Sequence, residues 1–265
     1  MKKVFLAAFL MLMVLIGYDQ NDNNGTIKFL GIPVDGTESQ FTSKLRKKGF
    51  SYDSYLSCYT GQFNGQTVNV SIRSNHNVVD RVYIAFPLMA DRYVKAEFNT
   101  LLDQFQINKK YVPWDIYTKI PQDEDISYEI SVNDKVYEAS YSYYAPSTIR
   151  QVLQNPTEYN LSELYTDGQI DTLNAYLQLL YSEDSNQKKS KKRNSIAETS
   201  TKDIALSDTS QRTTEMSYSL LLTYMKVLEI EADGAVWFTI HEHDGRYLVG
   251  LYYDNLHNQA HGEDL

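Results

Sequence analysis

Apolar and polar positions alternate along three stretches of the chain and recur at helical spacing in several others. Val68, Val70 and Ile72 alternate with Thr67, Asn69 and Ser71, and Val82, Ile84 and Phe86 repeat the pattern, which is that of half-buried strands. Asn64-Gly65 favours a two-residue hairpin turn ahead of the first run. Ser74-Asn75-His76-Asn77 supplies the next turn, and Pro87 closes the meander. A second hairpin is read from Ile126, Tyr128, Ile130 and Val132, through Asn133-Asp134, to Tyr137, Ala139, Tyr141 and Tyr143. A third spans Ala235–Ile240 and Tyr247–Tyr253 around His243-Asp244-Gly245. Ile27 to Leu30 reads as a short strand.

Helical spacing is clearest over Asp91–Asn108, where Val94, Phe98, Leu101, Leu102 and Phe105 form one apolar stripe. Thr37 is the expected N-cap of an earlier helix carrying Phe41 and Leu45, and Gly49 is its stop. Two helical segments are expected between Ser147 and Tyr181, whereas Ser217–Ile230 fits either helix or strand. Residues 183–215 have no apolar period and no aromatic side chain, so they predict a disordered insertion, which holds the basic cluster Lys188–Arg193. Acidic residues flank that cluster and make it a solvated linker rather than a polyanion contact. A lone hairpin is marginal in water, so the third one is expected to complete the sheet begun before the insertion. The expected fold class is therefore α+β: an antiparallel sheet built from meander and hairpins, with packed amphipathic helices. It forms a single domain over residues 27–265, interrupted at 183–215.

The N-terminus changes where that domain is expected to fold. Met1-Lys2-Lys3 precedes an unbroken apolar run from Val4 to Ile16, too short for the ~20 residues that cross a bilayer. Residues 1–17 thus read as a secretory signal, with 18–26 a polar linker behind it. Leu15-Ile16-Gly17-Tyr18 resembles a bacterial lipobox whose lipid-bearing cysteine has become tyrosine, so that position offers no thiol for an anchor. Any membrane association is expected only through the N-terminal segment. The formal charge of −9 lacks the basic footprint of a nucleic-acid binder. Cys58 is the sole cysteine and excludes an intramolecular disulfide; its strand-like surroundings suggest a buried, inert thiol.

Candidate chemistry is sparse. Four of the five histidines, His241, His243, His257 and His261, lie in the last 25 residues. His241 and His243 would share a strand face, and His257 and His261 would share a face if the tail is helical, so zinc is the metal they could hold. Asp123-Glu124-Asp125 lacks the alternating ligands of a calcium loop and reads as a solvated turn entering a strand. No nucleophile, zinc-protease or phosphate-loop motif is present. The 22 tyrosines are unusual. Tyr137, Tyr141, Tyr143 and Tyr252 could present amphipathic rings to a protein or glycan, or tile a sheet face under a helix.

Three sets of residues carry a resemblance. They are Phe29–Thr37 with Leu45–Phe50, Tyr59–Gly65 with Ile120–Tyr128, and Val236–Ile240 through Leu251–Asn255 to Gly262–Leu265. Together they resemble exported proteins of Bacteroides-type gut bacteria, a likeness that implies a cell-envelope location (periplasm, outer membrane or exterior) but supplies no activity or cofactor. The early strand–helix–meander order is also similar in topology to small envelope assembly lipoproteins. The expected function is a non-catalytic binding or structural role through a tyrosine-rich sheet face, toward an envelope protein or glycan. The alternatives are a hydrolase acting on envelope or dietary polymer and a metal-binding module using the C-terminal histidines.

Overall fold

The computed structural model describes residues 25–186 and 208–260. The signal-like segment 1–17, most of the polar linker 18–26, the basic cluster Lys188–Arg193 and His261 lie outside the described residues. Within them the chain is α+β, with every strand pairing antiparallel. Strands β1 (Lys28–Phe29) and β2 (Ile32–Pro33) make a small ribbon. The main sheet holds β3 (Ser51–Asp53), β4 (Cys58–Phe63), β5 (Gln66–Asn75), β6 (Val78–Ala85), β7 (Tyr111–Pro113), β8 (Glu138–Tyr143), β9 (Gly234–His243) and β10 (Arg246–Asn255). Their order is β3-β4-β5-β6-β10-β9-β8-β7. The C-terminal hairpin does complete the sheet: β10 pairs with β6 on one side and β9 on the other.

Helix α1 (Glu38–Lys47) starts at the capping box of Thr37 and Gln40, each side chain holding the other residue's backbone N–H. Helix α2 (Asp91–Ile107) buries Val94, Phe98, Leu101, Leu102 and Phe105 as its spacing requires. Removing each such side chain from water contributes about 1.5–3 kcal/mol. These two helices cover one face of the sheet together with α3 (Ile126–Asn133), enclosing Val82, Ile84, Phe238, Val249 and Leu251. A second core lies under α4 (Pro146–Gln154), α5 (Asp167–Asn186) and α6 (Asp208–Val227), and includes Val112 and Tyr144. Neighbouring residues of β7 serve different cores: Tyr111 packs on the first and Val112 belongs to the second, because strand side chains alternate. The second helical group therefore sits over the β7–β8 end of the opposite sheet face.

Two expectations need correction, and one open reading is settled. Residues 126–133 are helix α3, not the first arm of a hairpin. Ile126 and Ile130 are four apart as well as alternating with polar neighbours, so they satisfy both periods. Asp125 decides between them by accepting from Tyr128 N at 3.0 Å as an N-cap, and Asp134 ends the helix at φ 50°. The acidic triplet thus enters a helix rather than a strand. The polar stretch 183–215 is also less uniform than its composition suggests. Helix α5 reaches Asn186 and α6 begins at Asp208, while 187–207 lie outside the described residues. The Thr213 and Thr214 hydroxyls donate back to the carbonyls of Thr209 and Ser210, and Lys109 pairs with Glu215. Finally, Ser217–Ile230 resolves as helix through Val227, with Tyr218, Leu221, Leu222 and Met225 buried at helical spacing.

Candidate binding face

The middle strands of the sheet carry one face under helices α1–α3, and their alternate residues line the other. Across that second face a single row runs over five strands. Ser71 pairs with Tyr83, Tyr83 with Tyr252, Tyr252 with Trp237, and Trp237 with Ser140. The rings are half-buried and stacked: Trp237 and Tyr252 have centroids 3.7 Å apart with planes 2° apart, and Tyr83 follows Tyr252 at 4.7 Å. Small serines flank the stack at both ends of the row.

Every polar atom that could tilt these rings is held. Asp254 Oδ2 accepts from Trp237 Nε1 at 2.9 Å and from Arg81 Nη2 at 2.7 Å, while Arg81 Nε reaches Oδ1. The guanidinium carbon lies 5.5 Å from the Trp237 ring centroid and 5.6 Å from that of Tyr252, alongside the edges of the stacked pair. The hydrogen bond to Asp254 raises the already high pKa of Arg81. His241 Nε2 meets the Tyr252 hydroxyl at 3.2 Å. Burial lowers the pKa of His241 and, with Tyr252 beside it, pushes Tyr83 up to about 12. Gly250 makes this crowding possible: a Cβ there would fall 2.9 Å from Tyr83 Cε2 and 3.1 Å from the His241 ring.

Beside the ridge, β4 and β5 add neutral hydrogen-bonding groups. Thr60 donates to Asn69 at 3.1 Å and Gln62 to Thr67 at 2.6 Å. Arg73, opposite Arg81 in the register, is paired with Asp80. The two guanidinium groups beside the ridge are therefore each matched by a buried carboxylate, while Arg246 at the turn end of β10 donates to the Leu88 carbonyl.

The sequence-stated tyrosines divide. Tyr137, Tyr141 and Tyr143 share the alternation of Ala139 and point into the first core, so of their two readings the tiling of a sheet face under a helix holds and the binding surface is corrected. The Tyr137 hydroxyl donates to Glu124, and burial followed by that carboxylate raises its pKa. The residues of β8 on the opposite face are instead Glu138, Ser140 and Ser142, of which Ser142 is buried beside Val112 under the second helical group. Tyr252 does lie on the open face. Trp237, Tyr83, Arg81 and Asp254 escaped sequence reasoning although the signal was available: they occupy the alternate positions of strands whose apolar residues define the core.

The histidines are not brought together. His241 and His243 are exposed at the turn end of β9, and His243 lies 3.6 Å from Asp244. His257 is at the other end of the hairpin, where its Nε2 sits 2.9 Å from Asp233 Oδ1. Asp233 also accepts from Ala145 N at 2.6 Å and Thr148 Oγ1 at 3.0 Å, so His257 belongs to a joint between α4 and the sheet. Eight strand steps separate the two ends, roughly 26 Å at strand rise, too far for one metal site. Among the described residues no three His, Cys, Asp or Glu side chains converge on a metal-sized space. Cys58 is buried, and burial, then Asp53, raises its pKa. A shallow groove of about 380 Å³ lies between α2 and the sheet edge, lined by Gln66, Met89, Tyr93 and Glu97. Glu97 is its one carboxylate; burial raises its pKa, against hydrogen bonds from Asn64 and Gln66.

These features define an α+β protein whose open antiparallel face carries a fixed ridge of aromatic rings and a paired guanidinium. Comparison with protein-family models, with curated proteins and with solved structures finds no match for the chain.

Proposed function

We propose that this chain is an exported, non-catalytic binding protein of a bacterial cell envelope, and that its open sheet face holds a neutral glycan. The observation that carries the reading is the row Ser71–Tyr83–Tyr252–Trp237–Ser140, half-exposed and held in place by Asp254, Arg81 and His241. Rings fixed before binding lose little conformational entropy on contact, which favours affinity. Aromatic faces take the apolar C–H side of a sugar ring. The hydroxyls and amides of Thr60, Asn69, Ser71 and Gln62 can exchange hydrogen bonds with its rim. Because Arg81 and Arg73 are already matched by Asp254 and Asp80, the ridge itself offers no unpaired guanidinium to select an anionic chain; Arg246 lies away from it, at the turn end of β10. The signal-like segment 1–17 and the likeness to exported Bacteroides-type proteins support the envelope location.

Affinity electrophoresis through gels containing glucan, mannan, xylan or a polygalacturonate tests the reading. Retardation by at least one neutral polymer, lost in Trp237→Ala and Tyr252→Ala, is the expected result. Unchanged mobility in every gel, or retardation by polygalacturonate alone, would overturn it.

A further inference from the structure

We infer that Trp114 and Trp237 form the two walls of a sugar-ring subsite whose floor is Ser140. This deepens the glycan reading and rests on it. Trp237 and Ser140 are direct partners in the β8–β9 register. On the far side of β8, the β7 ladder pairs Val112 with Ser142 and Pro113 with Tyr141. Trp114 N donates to Ser140 O at 2.9 Å, which carries that ladder one residue further and sets Trp114 opposite Ser140. Trp114 is a bend residue just past the end of β7, and its N–H bond to Ser140 keeps it at the register position that falls on the face of Val112, Ser142, Ser140 and Trp237. The row therefore continues beyond the serine to a second indole.

The spacing suits one ring. Trp237 and Trp114 stand two strands apart, roughly 9.6 Å at about 4.8 Å per strand. A ring in van der Waals contact with both walls needs about 7–8 Å. The inner face of Trp237 is taken by Tyr252 at 3.7 Å, which leaves the face toward Ser140 for a ligand. Trp114 is 57% exposed, the largest apolar side chain offered to solvent on this row. Its backbone is fixed by Lys226 of α6, whose Nζ donates to the carbonyls of Pro113 and Trp114. The floor is polar: the Ser140 hydroxyl donates to Glu138 at 3.2 Å, with Thr239 opposite Glu138. The Ser140 hydroxyl between the aromatic walls, with the Glu138 carboxylate beside it, matches a pyranose, whose faces are apolar and whose rim is hydroxylated. An aromatic side chain would leave that floor without partners, which is why a sugar is assigned here.

The chain contains two tryptophans, and they are these two. Trp114→Phe leaves Trp237 as the only indole emitter, and Trp237→Phe leaves Trp114. Full-length protein and both variants are titrated with cellohexaose, xylohexaose, mannohexaose and maltohexaose while indole emission is followed, with circular dichroism checking the fold. The expected result is that one hexaose shifts the emission of both variants, and that Trp114→Ala weakens its binding about tenfold. A hexaose that binds and shifts Trp237 alone, with Trp114→Ala binding as tightly as the parent, overturns the subsite and leaves the glycan reading standing. If no hexaose and no polymer gel affects the parent protein, both fall together. Emission shifts with a tyrosine-bearing peptide but no sugar would assign the slot to a protein partner and overturn the inference.

Discussion

Trp237 donates its indole N–H to Asp254 Oδ2 at 2.9 Å, the oxygen that also receives Arg81 Nη2 at 2.7 Å. One buried carboxylate thus fixes both the ring and the cation of the ridge. Its side chain is 5% exposed and that of Arg81 26%. Asp254→Asn should cost about 2–3 kcal/mol in urea unfolding, below the 3–5 kcal/mol of a fully buried pair because Arg81 is partly solvated. The double variant Asp254→Asn/Arg81→Met should lose less than the sum of the two single changes. Additive losses would show that the pair is not energetically coupled.

Gly250 is required by what leans over it rather than by its own backbone angles. Gly250→Ala should destabilise by about 1–3 kcal/mol, since Tyr83 and His241 must move to admit a Cβ. Thermal melting checks this. A neutral result would mean that both rings have free space to retreat.

Tyr141 is fully buried and its hydroxyl has no hydrogen-bond partner. Tyr141→Phe removes an unsatisfied polar atom without opening a cavity, and should raise stability by about 1 kcal/mol. Tyr117→Phe is the contrasting change. The Tyr117 hydroxyl accepts from Ser140 N at 2.9 Å and donates to Ser140 O at 3.1 Å, so its loss should destabilise by about 1–2 kcal/mol. Equal effects of the two substitutions in denaturant melts would contradict this assignment.

His241 gives the ridge a pH dependence. Burial lowers its pKa below the ordinary value near 6.5. A base with a depressed folded pKa adds stability above the unfolded value, and that contribution is lost as pH falls through the folded one. Imidazole proton NMR should therefore show a midpoint below 6.5 for His241, and protonation removes the ring nitrogen that can accept from the Tyr252 hydroxyl. His241→Gln should flatten the acid limb of the stability profile. A midpoint at or above 6.5 would remove this basis.

Much of the sheet was legible because its apolar residues keep period two: Val68–Ile72, Val82–Phe86 and the last hairpin all appear where alternation places them. The same alternation hid the binding face, since attention to Val236, Phe238 and Ile240 leaves Trp237 between them unremarked. Helix α3 was misread because Ile126 and Ile130 satisfy both periods, and only the Asp125 cap decides. Tyr137, Tyr141 and Tyr143 could be read as surface or as core because composition says nothing about which side of a strand a helix will cover. The slot between Trp114 and Trp237 joins residues 123 positions apart in the chain, and only strand order brings them onto one row.

That strand order also sets a timetable. Among the described residues β10, the last strand, is the only one joining β3–β6 to β9, β8 and β7. Until it emerges from the ribosome, β6 presents an unpaired edge bearing Val82 and Ile84, and β9 has only β8 beside it. The two half-sheets can form early, but the eight-stranded sheet closes only when β10 takes its place between β6 and β9. Loss of the final dozen or so described residues should leave two sticky pieces rather than a shortened protein.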